Sequence, residues 1–280
     1  MEKGWTTVIT PNKNIFRFNL KELWEYRDLV FIFVKRDLTA QYKQTVLGPI
    51  WFFIQPIITT IVFTVIFGKV ANLPTDGLPK PLFYLNGIII WNYFSSSLTS
   101  TSSTFISNQH LFKKVYFPRM TVPLSQVISG LAKFGIQFGL FAVILAVYFF
   151  RGAEFSMNFY ALLTPLLILQ MALLGFGVGM IISSLTTKYR DFQFLVGFGV
   201  QLWMYATPIV YPLSMVPEKY QFLYALNPVV PVIQFFKYGF LGAGTVDWQM
   251  YGISAAVTLF IFCIGLLSFN AVERTFVDRV

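Results

Sequence analysis

The sequence predicts an all-α, polytopic membrane protein with six transmembrane helices, an N-terminal amphipathic interface helix and re-entrant helices between spans five and six. Three observations lead there. Apolar runs of about 20 residues, the length that crosses hydrocarbon, recur along the 280 residues. Hydrophobic residues make up 56% of the chain and charged residues 12%, where a soluble domain carries roughly twice that charge. Lysine and arginine, finally, gather on one side of the alternation that the apolar runs define.

The interface helix is expected over Asn19 to Lys43. Asn19 offers a cap and Glu22 sits at the third helical position, as in a capping box. Glu22, Glu25 and Asp28 come early and Lys35, Arg36 and Lys43 late, which suits the helix dipole. Leu20, Leu23, Trp24, Val30, Phe31, Val34 and Leu38 recur at helical spacing, yet the charges forbid a span, so the segment should lie on the membrane surface. Amphipathicity alone leaves open a soluble helix resting on a partner protein.

The spans follow at Val46–Val70, Leu82–Ser107, Val122–Phe150, Phe159–Leu185, Phe192–Tyr211 and Gln249–Asn270. Eight of the 21 Lys and Arg precede the first span; Lys113, Lys114, Arg119, Lys133, Lys188, Arg190, Arg274 and Arg279 fall on the same side. Only Lys69, Lys80, Arg151, Lys219 and Lys237 fall on the other. The basic side should be cytoplasmic, which puts both termini there and the protein in the cell inner membrane. The chain then divides into a cytoplasmic N-terminus (1–45), a transmembrane domain (46–270) and a tail (271–280). Residues 212–247 are too apolar for an exposed loop, and Pro228 and Pro231 interrupt them too much for one span. Two short helices dipping back into the membrane satisfy both facts, because broken backbone is tolerated where protein or water surrounds it. A seventh, kinked span would carry Arg274 and Arg279 outside, against the charge distribution.

Catalytic chemistry has little to work with. The spans contain no Asp or Glu, so no paired carboxylates or proton relay can form there. With one histidine, His110, and one cysteine, Cys263, there is neither a metal-ligand set nor a triad nor a disulfide. The phosphate-cradling pattern Gly-x-x-x-x-Gly-Lys-Ser/Thr is missing, so ATP hydrolysis by that device is excluded. The net charge of +9 is explained by topology without invoking nucleic acid.

Polar features remain inside the spans. In "SSSLTSTSST", Ser95 to Thr104, nine of ten residues are hydroxylated. Close helix packing uses one small stripe, whereas these residues surround the helix, which suggests a water-filled vestibule as well. Gln55, Lys133, Gln137, Gln170 and Gln201 add hydrogen-bonding groups at depth, Lys133 near enough to the cytoplasmic end to snorkel. The pairs Gly135/Gly139 and Gly175/Gly179 suit close packing. Trp51, Phe63, Phe67, Trp91, Tyr93, Trp203 and Tyr205 offer faces for sugar rings, although packing accounts for any one of them.

The stretch "LVFIFVKRDLTAQYKQTVLGPIWFFIQPIITTIVFTVIFG" (29–68), then "LFKKVYFPR" (111–119) and "LNPVVPVIQFFKYGFLG" (226–242), resemble in order the ABC-2 type permeases that export O-antigen, capsule or teichoic acid. The resemblance implies a homodimer that binds two copies of a separate ATPase subunit. ATP and magnesium would sit in that partner, leaving this chain without cofactor or metal. The cargo would be a polyprenyl-diphosphate-linked glycan. Spans one, two and five would border its path, with Trp51, Phe63, Phe67, Trp91, Tyr93, Ser96, Ser100, Ser103, Trp203 and Tyr205 as candidate lining. Residues 212–247 would gate the outer end, and the lipid head group would approach Arg27, Lys35 and Arg36 on the interface helix.

Residues 108–119 would form the coupling helix. Leu111, Phe112, Val115 and Tyr116 would fill a groove on the ATPase, Lys113, Lys114 and Arg119 would orient it, and Pro118 would end the helix. An exporter of teichoic acid, drugs or haem on the same fold fits the same residues. A membrane-embedded transferase of lipid-linked sugars would need acidic metal ligands, and Asp28, Asp37 and Asp191 form no recognisable motif.

Overall fold

The computed structural model describes residues 20–43, 45–189 and 191–279; Asn19 and Arg190 lie outside the described residues, as do the side chains of Arg274 and Arg279. All regular elements among the described residues are helical. In place of one interface helix there are two, α1 (Leu20–Glu25) and α2 (Arg27–Tyr42), separated by Tyr26 at φ −91°, ψ 16°. The apolar residues of this region serve two faces. Val30 and Phe33 are buried, whereas Trp24, Phe31 and Ile32 are exposed.

The first long helix runs Gly48–Val70: an opening turn, α3 (Trp51–Phe63) and a π-helical continuation over Thr64–Val70. Pro56 lacks an amide hydrogen within α3, and the Thr59 and Thr60 hydroxyls donate to the Gln55 and Pro56 carbonyls at 2.9 and 2.7 Å. At the wider π spacing the Ala71 amide donates to the Ile66 carbonyl.

α4 (Lys80–Ser102) is the axis of the molecule, packed by α3, by α7 (Thr121–Phe150), by α8 (Thr164–Lys188), by α9 (Phe192–Tyr205) and by α11 (Val229–Leu241). Its hydroxyls divide by face. Ser97, Thr101 and Ser102 are buried, while Ser95, Ser96, Thr99 and Ser100 are partly open. On the buried face the glycines of α8 admit the contact: a Cβ on Gly175 would stand 2.9 Å from the Ser97 Cβ, and one on Gly179 2.5 Å from the Thr101 Cβ. Gly135 and Gly139, in contrast, meet nothing within 4 Å, so their expected tight contact is not made within the chain.

The helix stops short of the predicted Ser107. Ser102 and Ser103 donate to the carbonyls of Thr99 and Ser100, competing with the helical ladder, and the chain breaks at Ser103 into α5 (Thr104–Ser107) and α6 (Gln109–Lys114).

The remaining helices follow their end signals. α9 closes at Tyr205, six residues before the predicted limit, because Ala206, Thr207 and Pro208 turn the chain; its 14 residues reach about 21 Å. α10 (Glu218–Ala225) and α11 are likewise too short to cross about 30 Å of hydrocarbon. Gly242, at φ +66°, ends α11 in the left-handed conformation usual after a helix. Asp247 caps α12 (Trp248–Arg279), its carboxylate accepting the amides of Gln249 and Met250 at 2.7 and 3.2 Å. Among the described residues four helices are long and apolar enough to cross a membrane: Gly48–Val70, Thr121–Phe150, Phe159–Lys188 and Trp248–Glu273.

Candidate functional site

The partly open face of α4 looks into a cavity of about 410 Å³ between α3, α7 and α9. Gln55 of α3, Asn92, Ser95, Ser96 and Thr99 of α4, and Lys133 and Gln137 of α7 give it a polar lining, with Phe52, Tyr93 and Phe134 as aromatic wall. The spacing is helical: Asn92, Ser96 and Thr99 are four and three residues apart, as are Gly130, Lys133 and Gln137 in reverse order. Asn92 donates to the Gln137 Oε1 at 3.3 Å, tying α4 to α7 across the cavity. Such a surface offers hydrogen bonds and one positive charge to a polyhydroxylated or anionic guest.

Of the predicted path residues, Tyr93 and Ser96 lie on this cavity. Phe63 and Trp91 are buried in ring packing, Phe63 edge-on to Tyr84 and Phe67, Trp91 against Phe94. Trp203 meets the Phe94 ring at 4.9 Å and donates its indole N–H to the Asn227 Oδ1 at 3.0 Å. Ser100 and Ser103 are partly buried, and Trp51 and Tyr205 are exposed on α3 and α9. Gln170 serves packing, donating to Ser254 and Thr258 of α12. Sequence reasoning missed Asn92; the available signal was an amide one helical turn before the hydroxyl-rich stretch.

At the Ser102 end of α4, α2, α6 and the last span meet. Phe33, Phe117 and Val122 form a buried cluster with Leu29, Leu111 and Phe112 around it. Leu111 and Phe112 are therefore partly buried and turned inward, while Lys113, Lys114, Val115 and Tyr116 are exposed. α6 already ends at Lys114, with Val115 extended at φ −136°, ψ 134°, before Pro118 is reached. Proline disfavours helix in the residue before it, and Phe117 uses the extended chain to reach the cluster. The Arg119 guanidinium donates to the Glu273 main-chain carbonyl, and the Arg119 amide to the Glu273 carboxylate at 3.2 Å. Burial lowers the guanidinium pKa and Glu273 opposes that shift. Of the interface-helix cations, Arg27 lies 4.0 Å from Asp28, Arg36 is paired with Asp37 at 2.8 Å, and Lys35 is exposed.

At the other end of α4 a buried ion pair closes the bundle. Lys237 of α11, 2% exposed, places its ammonium 2.8 Å from Asp76 in the loop before α4. Ser214 donates to the other Asp76 oxygen at 2.7 Å, and the ammonium lies 5.4 Å from the centre of the Phe83 ring. Burial acts to raise the Asp76 pKa, but the hydrogen bonds from Lys237 and Ser214 outweigh it and hold the carboxyl below its ordinary value.

Residues 28–241 match the family model described as ABC-2 type transporter, a match that runs from the second residue of α2 to the end of α11 and takes in the cavity and the Asp76–Lys237 pair. The chain belongs to the ABC-2 type transporter membrane family. It is thus a multi-pass permease subunit rather than an enzyme. This ABC-2 permease is 29% identical to the O-antigen export system permease protein RfbA of Klebsiella pneumoniae, over 94% of its own length and 97% of that protein's. It is 26% identical to the RfbA of Myxococcus xanthus, with 93% and 98% covered, and 23% identical to the polysialic acid transport protein KpsM of Escherichia coli, with 81% and 87% covered.

Proposed function

We propose that the chain is the membrane half of an ABC exporter that carries a lipid-linked polysaccharide, an O-antigen-like glycan on polyprenyl diphosphate, across the cytoplasmic membrane. It works as a homodimer with two copies of a separate ATPase, which binds the ATP and magnesium. In this arrangement α4 and α9 join the four long helices as spans two and five, α10 and α11 dip into the outer leaflet as a gate, and both termini are cytoplasmic.

One observation carries the reading beyond family membership: a hydrogen-bonding cavity between apolar helices, bordered by α3, α4 and α9. A sugar polymer needs a lining that exchanges hydrogen bonds with hydroxyls, and apolar drugs do not. α9 contains no buried residue, and Phe194 and Phe198 stand out from it. A second copy placed against α3 and α9 would cover those surfaces and close the cavity into a passage. At the other end the exposed Lys113, Lys114, Val115 and Tyr116 form the contact with the ATPase, held by Leu111, Phe112, Pro118 and Arg119. The names of RfbA and KpsM support the cargo class.

Two measurements test the proposal. Deleting the gene should remove surface glycan, and the tagged permease should co-purify with an ATPase and with a second copy of itself. Unchanged surface glycan after deletion overturns the assignment.

A further inference from the structure

Among the residues that line the cavity one cation stands out, and it is not one that the interface helix supplies. Lys133 lies twelve residues into α7, about 18 Å from its start. It shares the cavity face with Gln137 and is only partly exposed. No carboxylate lies within 4 Å of it among the described residues. Asp37 is the acid whose charge reaches it; Arg36 holds one oxygen of that carboxylate at 2.8 Å, and the other oxygen is buried without a hydrogen-bond partner and beyond 4 Å of the ammonium. An ammonium at membrane depth is costly without a partner, and the groups around this one are Gln55, Asn92, Ser96 and Thr99, amides and hydroxyls without negative charge. Arg27 and Arg36 on the interface helix, in contrast, have acids beside them.

We infer that Lys133 binds a phosphate-class anion of a lipid-borne ligand inside this cavity, with the neighbouring amides and hydroxyls meeting the remaining phosphate oxygens and the first sugar. The assignment rests on the proposed export of a diphosphate-linked glycan and adds where its phosphate is held. Arg27, Lys35 and Arg36 then serve the approach and Lys133 the bound state. A volume of about 410 Å³ suits such a group, since small-molecule sites span about 300–1,000 Å³. Loss of one charge-assisted hydrogen bond should weaken binding at least about tenfold.

The test uses the permease–ATPase complex in lipid nanodiscs and titrates farnesyl diphosphate against wild type, Lys133→Gln and Lys133→Arg. The expected result is tight binding by wild type, the tenfold loss in Lys133→Gln and recovery in Lys133→Arg. Inorganic pyrophosphate should bind more weakly with the same dependence on Lys133. Equal binding by wild type and Lys133→Gln overturns the inference, as does displacement of farnesyl diphosphate by an equal amount of phosphatidylglycerol, which would mark a phospholipid site. Farnesol competing as well as the diphosphate overturns it too. Complementation of the deletion strain separates this inference from the function it rests on. Surface glycan restored equally by wild type and Lys133→Gln removes the phosphate site and leaves export standing. Binding that depends on Lys133 in a strain whose glycan never needed the chain removes export and leaves the site.

Discussion

Replacing Asp76 by Asn should destabilise the protein far more than its position in a loop suggests. Lys237 is the deeper member of the pair, 2% exposed against 18% for the Asp76 side chain. The substitution therefore strands an ammonium in the core. Removing one partner of a buried pair costs about 3–5 kcal/mol, and the Phe83 ring face returns about 0.5–1 kcal/mol, which leaves a loss of about 3 kcal/mol. Lys237→Met fills the same space with apolar atoms and leaves Asp76 with the Ser214 hydroxyl and some water, for about 1–2 kcal/mol. The double variant should resemble Lys237→Met alone, a coupling of about 3 kcal/mol. At about 2 °C per kcal/mol for a chain of this size, Asp76→Asn should melt about 6 °C below wild type and the double variant about 3 °C below. Thermal unfolding in detergent, followed by tryptophan fluorescence, reads these differences. The pH dependence carries a sign of its own. A carboxylate whose pKa is depressed on folding stabilises above its unfolded pKa, and that contribution is lost as pH falls through the lower folded value. The Asp76→Asn deficit should thus be constant from about pH 8 to about pH 5 and shrink only below about pH 4. Equal losses for the two single variants that simply add in the double would refute the argument, because the asymmetry follows from which charge is left buried.

Four other outcomes follow from packing, docking and capping. Gly179→Ala should lower the melting temperature because its Cβ would meet the Thr101 side chain and the Leu98 carbonyl at 2.5 and 2.9 Å, whereas Gly135→Ala, facing open space, should leave it unchanged. Phe112→Ala should cost about 2 kcal/mol, below the about 3–5 kcal/mol of a fully buried phenylalanine, since its ring sits against Phe105 and Phe117. Tyr116→Ala should be neutral in the same melting assay yet reduce ATPase recovered by pull-down; the reverse pattern would move the docking surface elsewhere. Asp247→Ala should cost about 1 kcal/mol through the lost cap of α12, while Asp247→Asn should retain most of it.

What the sequence made legible was decided by local signals. The long apolar runs of α7, α8 and α12 and the break at Pro228 belong to single segments, so periodicity and turn chemistry place them, whereas Pro231, expected to interrupt as well, sits in the first turn of α11. The end of α4 was misjudged because serine and threonine look alike whether they extend a helix or compete with its carbonyls, and Ser103 does the latter. α9 was overextended for a related reason: Ile209 and Val210 are apolar, yet they are buried after the chain has turned. The split of the interface helix into two faces depends on Phe117, 84 residues beyond Phe33 in the chain but against its ring in space. At the candidate site the hydroxyl stretch and Gln137 were visible from composition. The Asn92–Gln137 bridge and the Asp76–Lys237 pair are not, because nothing in residues 45 and 161 positions apart announces that they will meet.

The division of α4 into a sealed edge and an open one bears on how this permease can change. Along the α8 edge, Ser97 and Thr101 are buried against Gly175 and Gly179, where even a methyl group on either glycine has no room, so larger side chains at this contact should cost stability. On the neighbouring edge of the same helix, Ser96 and Thr99 border the cavity, where a larger side chain meets open volume. A single helix thus carries a close-packed spine and an open surface side by side. Cargo preference can drift through a few substitutions on one edge while the fold beside it is left untouched.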